Sequence, residues 1–141
     1  MGAIRVDFGR IFLIRVEHDL DIVGFIASFA KKYEIKAATF TAVGALKSGQ
    51  LGFYDQQKHV YLEETISVPV EIASCIGNIS IKEGEPFVHA HAVLSYVGGE
   101  TKAGHLLEGK VFAAEVHLTE LRGEKVERQL DLVTGLSLWD V

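Results

Sequence analysis

The chain has 141 residues, 48% hydrophobic and 23% charged, with a net charge of −5 at neutral pH. That size and balance fit one globular domain around one core, and they exclude a disordered chain or two full-sized domains. No run of lysines and arginines exceeds the pair Lys31–Lys32, so the sequence lacks the basic stretch on which stand-alone nucleic-acid binding depends when it releases counterions.

The N-terminal stretch "MGAIRVDFGRIFLIRVEHD" is broken by Arg5, Asp7, Arg10 and Arg15, which rules out a secretory apolar region, and Val6 stands where a myristoylation signal needs Ser or Thr. Within it "GRIFLIRVEHD" alternates and is β-branched, which predicts a first strand. The period then changes. In "DLDIVGFIASFAKKYEI" the residues Ile22, Ile26, Phe29, Ala30 and Tyr33 follow helical spacing, with Asp19 and Asp21 at the positive end of the dipole and Lys31 and Lys32 at the negative end. This predicts one main amphipathic helix near the N-terminus. Gly24 inside it costs about 1 kcal/mol relative to Ala, which suggests a close contact there. The longest uncharged apolar run, "IVGFIASFA", is far too short to cross a bilayer, so the expectation is a soluble, cytoplasmic protein with no membrane partner.

Everything downstream reads as strands and turns. "KAATFTAVG" is expected to end at Gly44, "QLGFYD" to be short, and "HVYLEETISV" to alternate up to Pro69. "VEIASCIGNISI" runs to the turn "KEGEP", and its lone cysteine, Cys75, reads as a small buried hydrophobe with no disulfide partner. "FVHAHAVLSYV" leads to the turn "GGE". "KVFAAEVHLTEL" is bounded by Gly109 and Gly123, and "VERQLDLVTGLSLWD" closes the chain. The expected fold is a single α+β domain over residues 1–141, a mostly antiparallel sheet of about seven or eight strands with the one helix. The glycines of "TAVGALKSGQLGFYD" lack phosphate-loop spacing and open no helix.

Of six histidines, three gather in "PFVHAHAVLS" and "KAGHLLEG". Residues two apart on a strand share a face, so His89 and His91 point the same way about 6–7 Å apart. If Val97 and Thr101 flank a three-residue loop, Gly98-Gly99-Glu100, His105 lies opposite Val93 and diagonal to His91 on that same face. A bulge at Gly104 would break the parity. Three converging imidazoles suit a divalent ion at about 2.0–2.1 Å with a fourth position open. The same three rings also suit a metal-free proton-transfer site or simple packing. Glu115, on the face of "KVFAAEVHLTE" opposite Phe112, Ala114, Val116 and Leu118, fits a fourth ligand, a partner for an imidazole, a general base, or a solvated strand glutamate. His18, His59 and His117 have no companion at ligand spacing.

The succession of the helix, "AVGALKSGQLGFYD", "EETISVPVEIASCIGNIS", "PFVHAHAVLS", "AGHLLEGKVF" and "AAEVHLTEL" resembles the plant and prokaryote conserved (PPC) domain, from about Arg10 to Asp140. That domain stands alone in bacteria and archaea and follows AT-hooks in plants. The resemblance implies an α+β subunit assembled as a homotrimer, with His89, His91 and His105 matching the histidines of stand-alone members that bind a metal such as zinc. It implies transcriptional regulation for plant members, but no Arg-Gly-Arg-Pro core occurs here, so DNA binding does not carry over with the AT-hook. At the level of fold the domain is also similar to acetolactate decarboxylase, a zinc enzyme. Three functions follow as expectations: a trimeric metal protein, a zinc-dependent enzyme acting on a small carbonyl-type substrate with Glu115 moving protons, or a DNA-associated regulator.

Overall fold

The structure is a computed structural model that describes residues 2–141. Along the chain run β1 (Val6–Val16), α1 (Ile22–Lys32), β2 (Ala38–Asp55), β3 (Val60–Ile66), β4 (Val70–Lys82), β5 (Glu85–Ser95), β6 (Thr101–Gly123), β7 (Arg128–Leu130) and β8 (Ser137–Trp139). Six strands form one antiparallel sheet in the order β1-β6-β5-β4-β2-β3, and an added pairing of β6 with β2 closes it on itself. β7 and β8 make a separate hairpin. The mostly antiparallel architecture with one helix is the expected one, and the helix is short, at 11 residues. Among the described residues, no helix is long and apolar enough to cross a membrane.

Two strands are longer than the sequence suggests. β2 does not end at Gly44 but runs through it for 18 residues, and β6 starts at Thr101 and continues through Gly104 and Gly109 for 23. These glycines mark close approaches rather than breaks. A Cβ at Gly44, whose φ is 137°, would lie 2.2 Å from the carbonyl oxygen of Ala113, and one at Gly109 would lie 2.8 Å from Leu46 Cδ1. The β2–β6 ladder slips register around Ala45–Leu46, opposite Val111–Ala113. That slip turns Phe112 outward, at 60% exposure, and gives its expected core place to Val111, while Ala114, Val116 and Leu118 are buried as the alternation predicts.

The helix packs on the closed sheet through Ile22, Ile26 and Ala30, a stripe at i, i+4 and i+8. Asp21 sets its start. One carboxylate oxygen accepts from the Gly24 N–H at 2.7 Å, and the other accepts from the Gly109 N–H at 2.7 Å. A single cap residue thus fixes both the first turn and the docking of the helix on β6. A Cβ at Gly24 would sit 3.0 Å from that carboxylate, which accounts for the glycine. Leu46, Leu94, Val111 and Leu118 are fully buried beneath it. Cys75 belongs to this core, and burial pushes its thiol up to about 11, so it is the inert hydrophobe expected.

β1 carries a bulge where two residues, Gly9 and Arg10, oppose Glu120 of β6. The Glu120 carboxylate accepts from the Arg10 N–H at 3.0 Å, from its Nε at 2.8 Å and from its Nη2 at 2.7 Å. A Cβ on Gly9 would fall 2.6 Å from the same carboxylate, so the bulge depends on the missing side chain. The hydrogen bonds from the Arg10 side chain hold Glu120 well below the usual carboxylate range, at about 2. A carboxyl whose pKa is lowered by folding stabilises the fold above its unfolded value of 4.5, and that contribution disappears as pH falls toward about 2. Glu120→Gln is therefore expected to cost about 1–2 kcal/mol of unfolding free energy at pH 7. In urea melts across pH, the difference between parent and variant should shrink between pH 4.5 and about 2.

Candidate metal centre

On β5 the alternation is unbroken. Val88, Ala90, Ala92 and Leu94 point into the core, so His89, His91 and Val93 share the other face. Gly77 of β4 pairs with Ala90, and a Cβ there would stand 2.3 Å from the Phe40 ring and 2.6 Å from the His89 carbonyl oxygen. The absent side chain lets Phe40 seal the core directly beneath the histidine strand.

The turn from β5 to β6 corrects one expectation. Its loop is not Gly98–Glu100 but residues 96–100, closed by the Tyr96 N–H on the Glu100 carbonyl at 2.8 Å and the Gly99 N–H on the Tyr96 carbonyl at 3.1 Å. Gly98 and Gly99, with φ of 100° and 90°, supply the left-handed backbone this reversal needs. The loop is still odd in length, so face parity survives, but the register moves by one pair. His105 is directly opposite His91, and Val93 is opposite Ala103. Gly104 does not break the β5–β6 ladder. It lets β2 come close, a Cβ there falling 2.8 Å from the Gly52 carbonyl oxygen.

The three imidazoles therefore converge. One ring nitrogen of each lies within 4.8 Å of the other two. The ring centroids are 5.2 Å apart for His89–His91, 5.1 Å for His89–His105 and 5.6 Å for His91–His105. His89 and His105 are half-buried and His91 is exposed, so the cluster sits at the mouth of the sheet rather than in its core. Burial first, and then the neighbouring His105, Arg128 and His91, push the His89 ring down to about 4. Burial likewise lowers His105, with His91 and Arg128 adding to it. Both rings are neutral at pH 7, with a lone pair free to donate. His105 Nδ1 is buried with no hydrogen-bond partner. A buried ring nitrogen left unpaired is unusual, and a cation held by three neutral imidazoles would satisfy it. The donor set fits a divalent ion of nitrogen-preferring character, zinc among them.

Glu115 does not join the three rings within the chain. It lies ten residues beyond His105 on β6, exposed between Arg15 of β1 and Val43 of β2, roughly 33 Å further along the strand contour. His18 Nδ1 donates to the Phe112 carbonyl oxygen at 2.7 Å, while His59 packs against Tyr54 and His117 is exposed on β6. None of these approaches the cluster. Two side chains that sequence spacing does not mark stand beside it. Tyr61 of β3 packs at 5.4 Å from the His105 ring, and Arg128 of β7 shares with Tyr61, His89 and His105 the lining of a cleft of about 220 Å³. Arg128 arrives from the C-terminal hairpin, held by the Ile81 N–H on the Val126 carbonyl at 2.9 Å and by a parallel bridge from Ile81 to Glu127. No pattern in "KVERQLDL" announces that placement.

Comparison with known proteins agrees with this architecture. Residues 4–122 match the model of the Plants and Prokaryotes Conserved (PCC) domain. A metal-containing protein of Archaeoglobus fulgidus is 40% identical, with a TM-score of 0.95 over 99% of each chain. A plant- and prokaryote-conserved (PPC) protein of Pyrococcus horikoshii is also 40% identical, with a TM-score of 0.95 over 100% of this chain and 98% of that one. A candidate DNA-binding protein of Bacteroides thetaiotaomicron, 22% identical, shares the fold at a TM-score of 0.86 over 96% of each chain. No curated protein matches the chain. With the family model spanning most of its length and two 40% identical relatives superposing from end to end, this chain belongs to the Plants and Prokaryotes Conserved domain family.

Proposed function

We propose that this chain is a homotrimeric metal protein in which His89, His91 and His105 hold one divalent transition ion, zinc first among them. The observation that carries the reading is the convergence of three imidazole nitrogens within 4.8 Å, with His105 Nδ1 buried and unpartnered. Copper, nickel and iron also accept imidazole; zinc is put first because three histidines with an open fourth position are a common zinc arrangement. The description of the Archaeoglobus fulgidus relative as metal-containing supports the same reading. When bound, the ion would act as a Lewis acid at its open fourth position. That open position favours a second reading, a zinc-dependent enzyme acting on a small carbonyl-type substrate. Glu115 could serve such chemistry only from a neighbouring subunit, given its place on β6.

Assembly is supported by the outer sheet face. Phe8, Leu13, Ile76 and Phe112 are 83%, 85%, 61% and 60% exposed, and apolar strand faces of this kind are covered by subunit contacts. A single, buried cysteine is compatible with a cytoplasmic location. The regulator reading has the description of more distant fold relatives behind it, and the net charge of −5 against it.

Elemental analysis after metal-free purification and zinc reconstitution should find one ion per chain in the parent and in His59→Ala. His89→Ala, His91→Ala and His105→Ala should each lose most of it, a drop in affinity of about 10–100-fold or more. Folded variants that keep the parent's stoichiometry would place the ion elsewhere. Bound metal should fall as the solution is acidified, because protons compete for the same lone pairs.

Light scattering at micromolar concentration should give three times the 15.5 kDa chain mass, and a monomer mass would sink the assembly. Titration of A·T-rich and mixed duplexes near physiological salt should show weak binding or none. Submicromolar affinity with a steep negative salt slope would favour the regulator instead.

A further inference from the structure

Arg128 and Lys82 bring positive charge to the cleft, and of the two only Arg128 is held in place by hydrogen bonds among the described residues. Its guanidinium donates from Nε to Ser80 Oγ at 2.7 Å, from Nη1 to the Ser137 carbonyl at 2.8 Å and from Nη2 to Asn78 Oδ1 at 2.9 Å. All three acceptors are neutral, and among the described residues no carboxylate pairs with it. The guanidinium carbon also lies over two aromatic rings, 5.0 Å from the Phe87 centroid and 5.9 Å from the Trp139 centroid. A guanidinium has five N–H groups, so this holding network leaves two, one on each terminal nitrogen. The clamp fixes the fork without neutralising it.

The cleft around it is built for negative charge. Its charged lining residues are Lys82 and Arg128, with His89 and His105 beside them and no Asp or Glu. The Tyr61 hydroxyl, on the same wall, has no hydrogen-bond partner among the described residues. A divalent ion on three neutral imidazoles would add its full charge to this already positive cleft. The volume, about 220 Å³, is below the range of about 300–1,000 Å³ that holds drug-sized ligands, so the occupant is a molecule of a few carbons. Phe87, Leu136 and Leu138 give it apolar walls, which suit a carbon chain better than a bare inorganic anion.

We infer that Arg128 and the Tyr61 hydroxyl form a binding site for a small carboxylate, which sits with its charged end on the arginine fork and a neighbouring oxygen directed at the open position of the His89–His91–His105 metal. This deepens the metal reading and rests on it for the second contact only. Arg128 lies beyond residues 4–122, the part of the chain that the family model matches. Bidentate recognition by a planar, preset guanidinium is what distinguishes a carboxylate from other ligands.

The chain has one tryptophan, Trp139, and it stacks on Arg128, so its fluorescence reports the site directly. Glycolate is the probe, because it joins a carboxylate to an adjacent hydroxyl. Inorganic phosphate, acetate and neutral ethylene glycol are the comparison ligands. Zinc-loaded parent should bind glycolate saturably, acetate more weakly and ethylene glycol not at all. Arg128→Gln, with its zinc content unchanged, should bind glycolate at least about ten-fold more weakly, and Arg128→Lys should fall between them. Lys36→Gln, which removes a positive charge that does not line this cleft, should match the parent. Tyr61→Phe deletes only a hydroxyl and should weaken glycolate by about three-fold, which keeps the test decisive if Arg128→Gln fails to fold. Glycolate affinity within about two-fold of the parent in folded Arg128→Gln, or in Tyr61→Phe where the former does not fold, would overturn the site. Phosphate binding more tightly than glycolate would overturn the carboxylate assignment. Metal-free protein separates the two readings. If the chain takes up no zinc yet still binds glycolate in an Arg128-dependent way, the metal reading fails and the anion site stands. Full zinc loading with Arg128-independent glycolate binding sinks the anion site alone.

Discussion

The pairing of β2 with β6, from Ala38 opposite Glu120 to Gly52 opposite His105, is the constraint on which the rest of the structure depends. Without it the six strands would be an open sheet with long unpaired edges. With it, both strands serve two walls. β2 lends its other edge first to β4 and then to β3, while β6 lends its own first to β5 and then to β1. Strands of 18 and 23 residues can do this only by bending, and the register slips at Ala42–Gly44, Ala45–Leu46 and Gln50–Leu51 supply the bends. Gly44 and Gly104 stand where two backbones come too close for a Cβ, and Gly109 where the Leu46 and Ile22 side chains do. The core, including the Ile22–Ile26–Ala30 stripe of the helix, fills the space that closure encloses.

The same pairing makes the histidine cluster possible. At His105, β6 has β5 on one side and β2 on the other, so the ring is fixed by ladders on both edges. His91 is its direct cross-strand partner, and His89 is held in register by Asn78 of β4. Sites carried on paired strands are positioned more tightly than sites on loops. The energetic cost of the arrangement is visible in the rings themselves. Burial drives His89 to about 4, and His105 keeps an unpaired nitrogen. Both features are unfavourable for three idle imidazoles and favourable for three ligands.

Charge acts locally in this protein. The chain as a whole is acidic, yet none of its carboxylates lines the cleft beside the histidines. Asp19 takes Lys47 at 2.7 Å and Lys110 at 3.4 Å, and Glu120 takes Arg10 at the bulge of β1. The cleft beside the histidines is left with cations and neutral dipoles. Net charge thus argues about non-specific partners, while the distribution of pairs argues about the ligand.

Periodicity and residue type alone settled much of this molecule. Strand alternation put His89 and His91 on one face, an odd-length glycine turn kept His105 with them, and the 3.6-residue period marked the single helix with Asp21 at its start. These are local properties, set by the pleat, the turn and the cap, so they are legible in a few residues. Tertiary structure decided the rest, because it depends on segments far apart in the chain. Whether His105 faces Val93 or His91 turned on a loop two residues longer than the glycines imply. Whether Gly44 and Gly109 end strands or let them approach turned on what lies across the sheet. Glu115 shares the strand of His105, but ten residues of ladder carry it away from the rings. Arg128 comes 23 residues after His105 in sequence, and only the docking of the C-terminal hairpin on β4 brings its charge to the cleft.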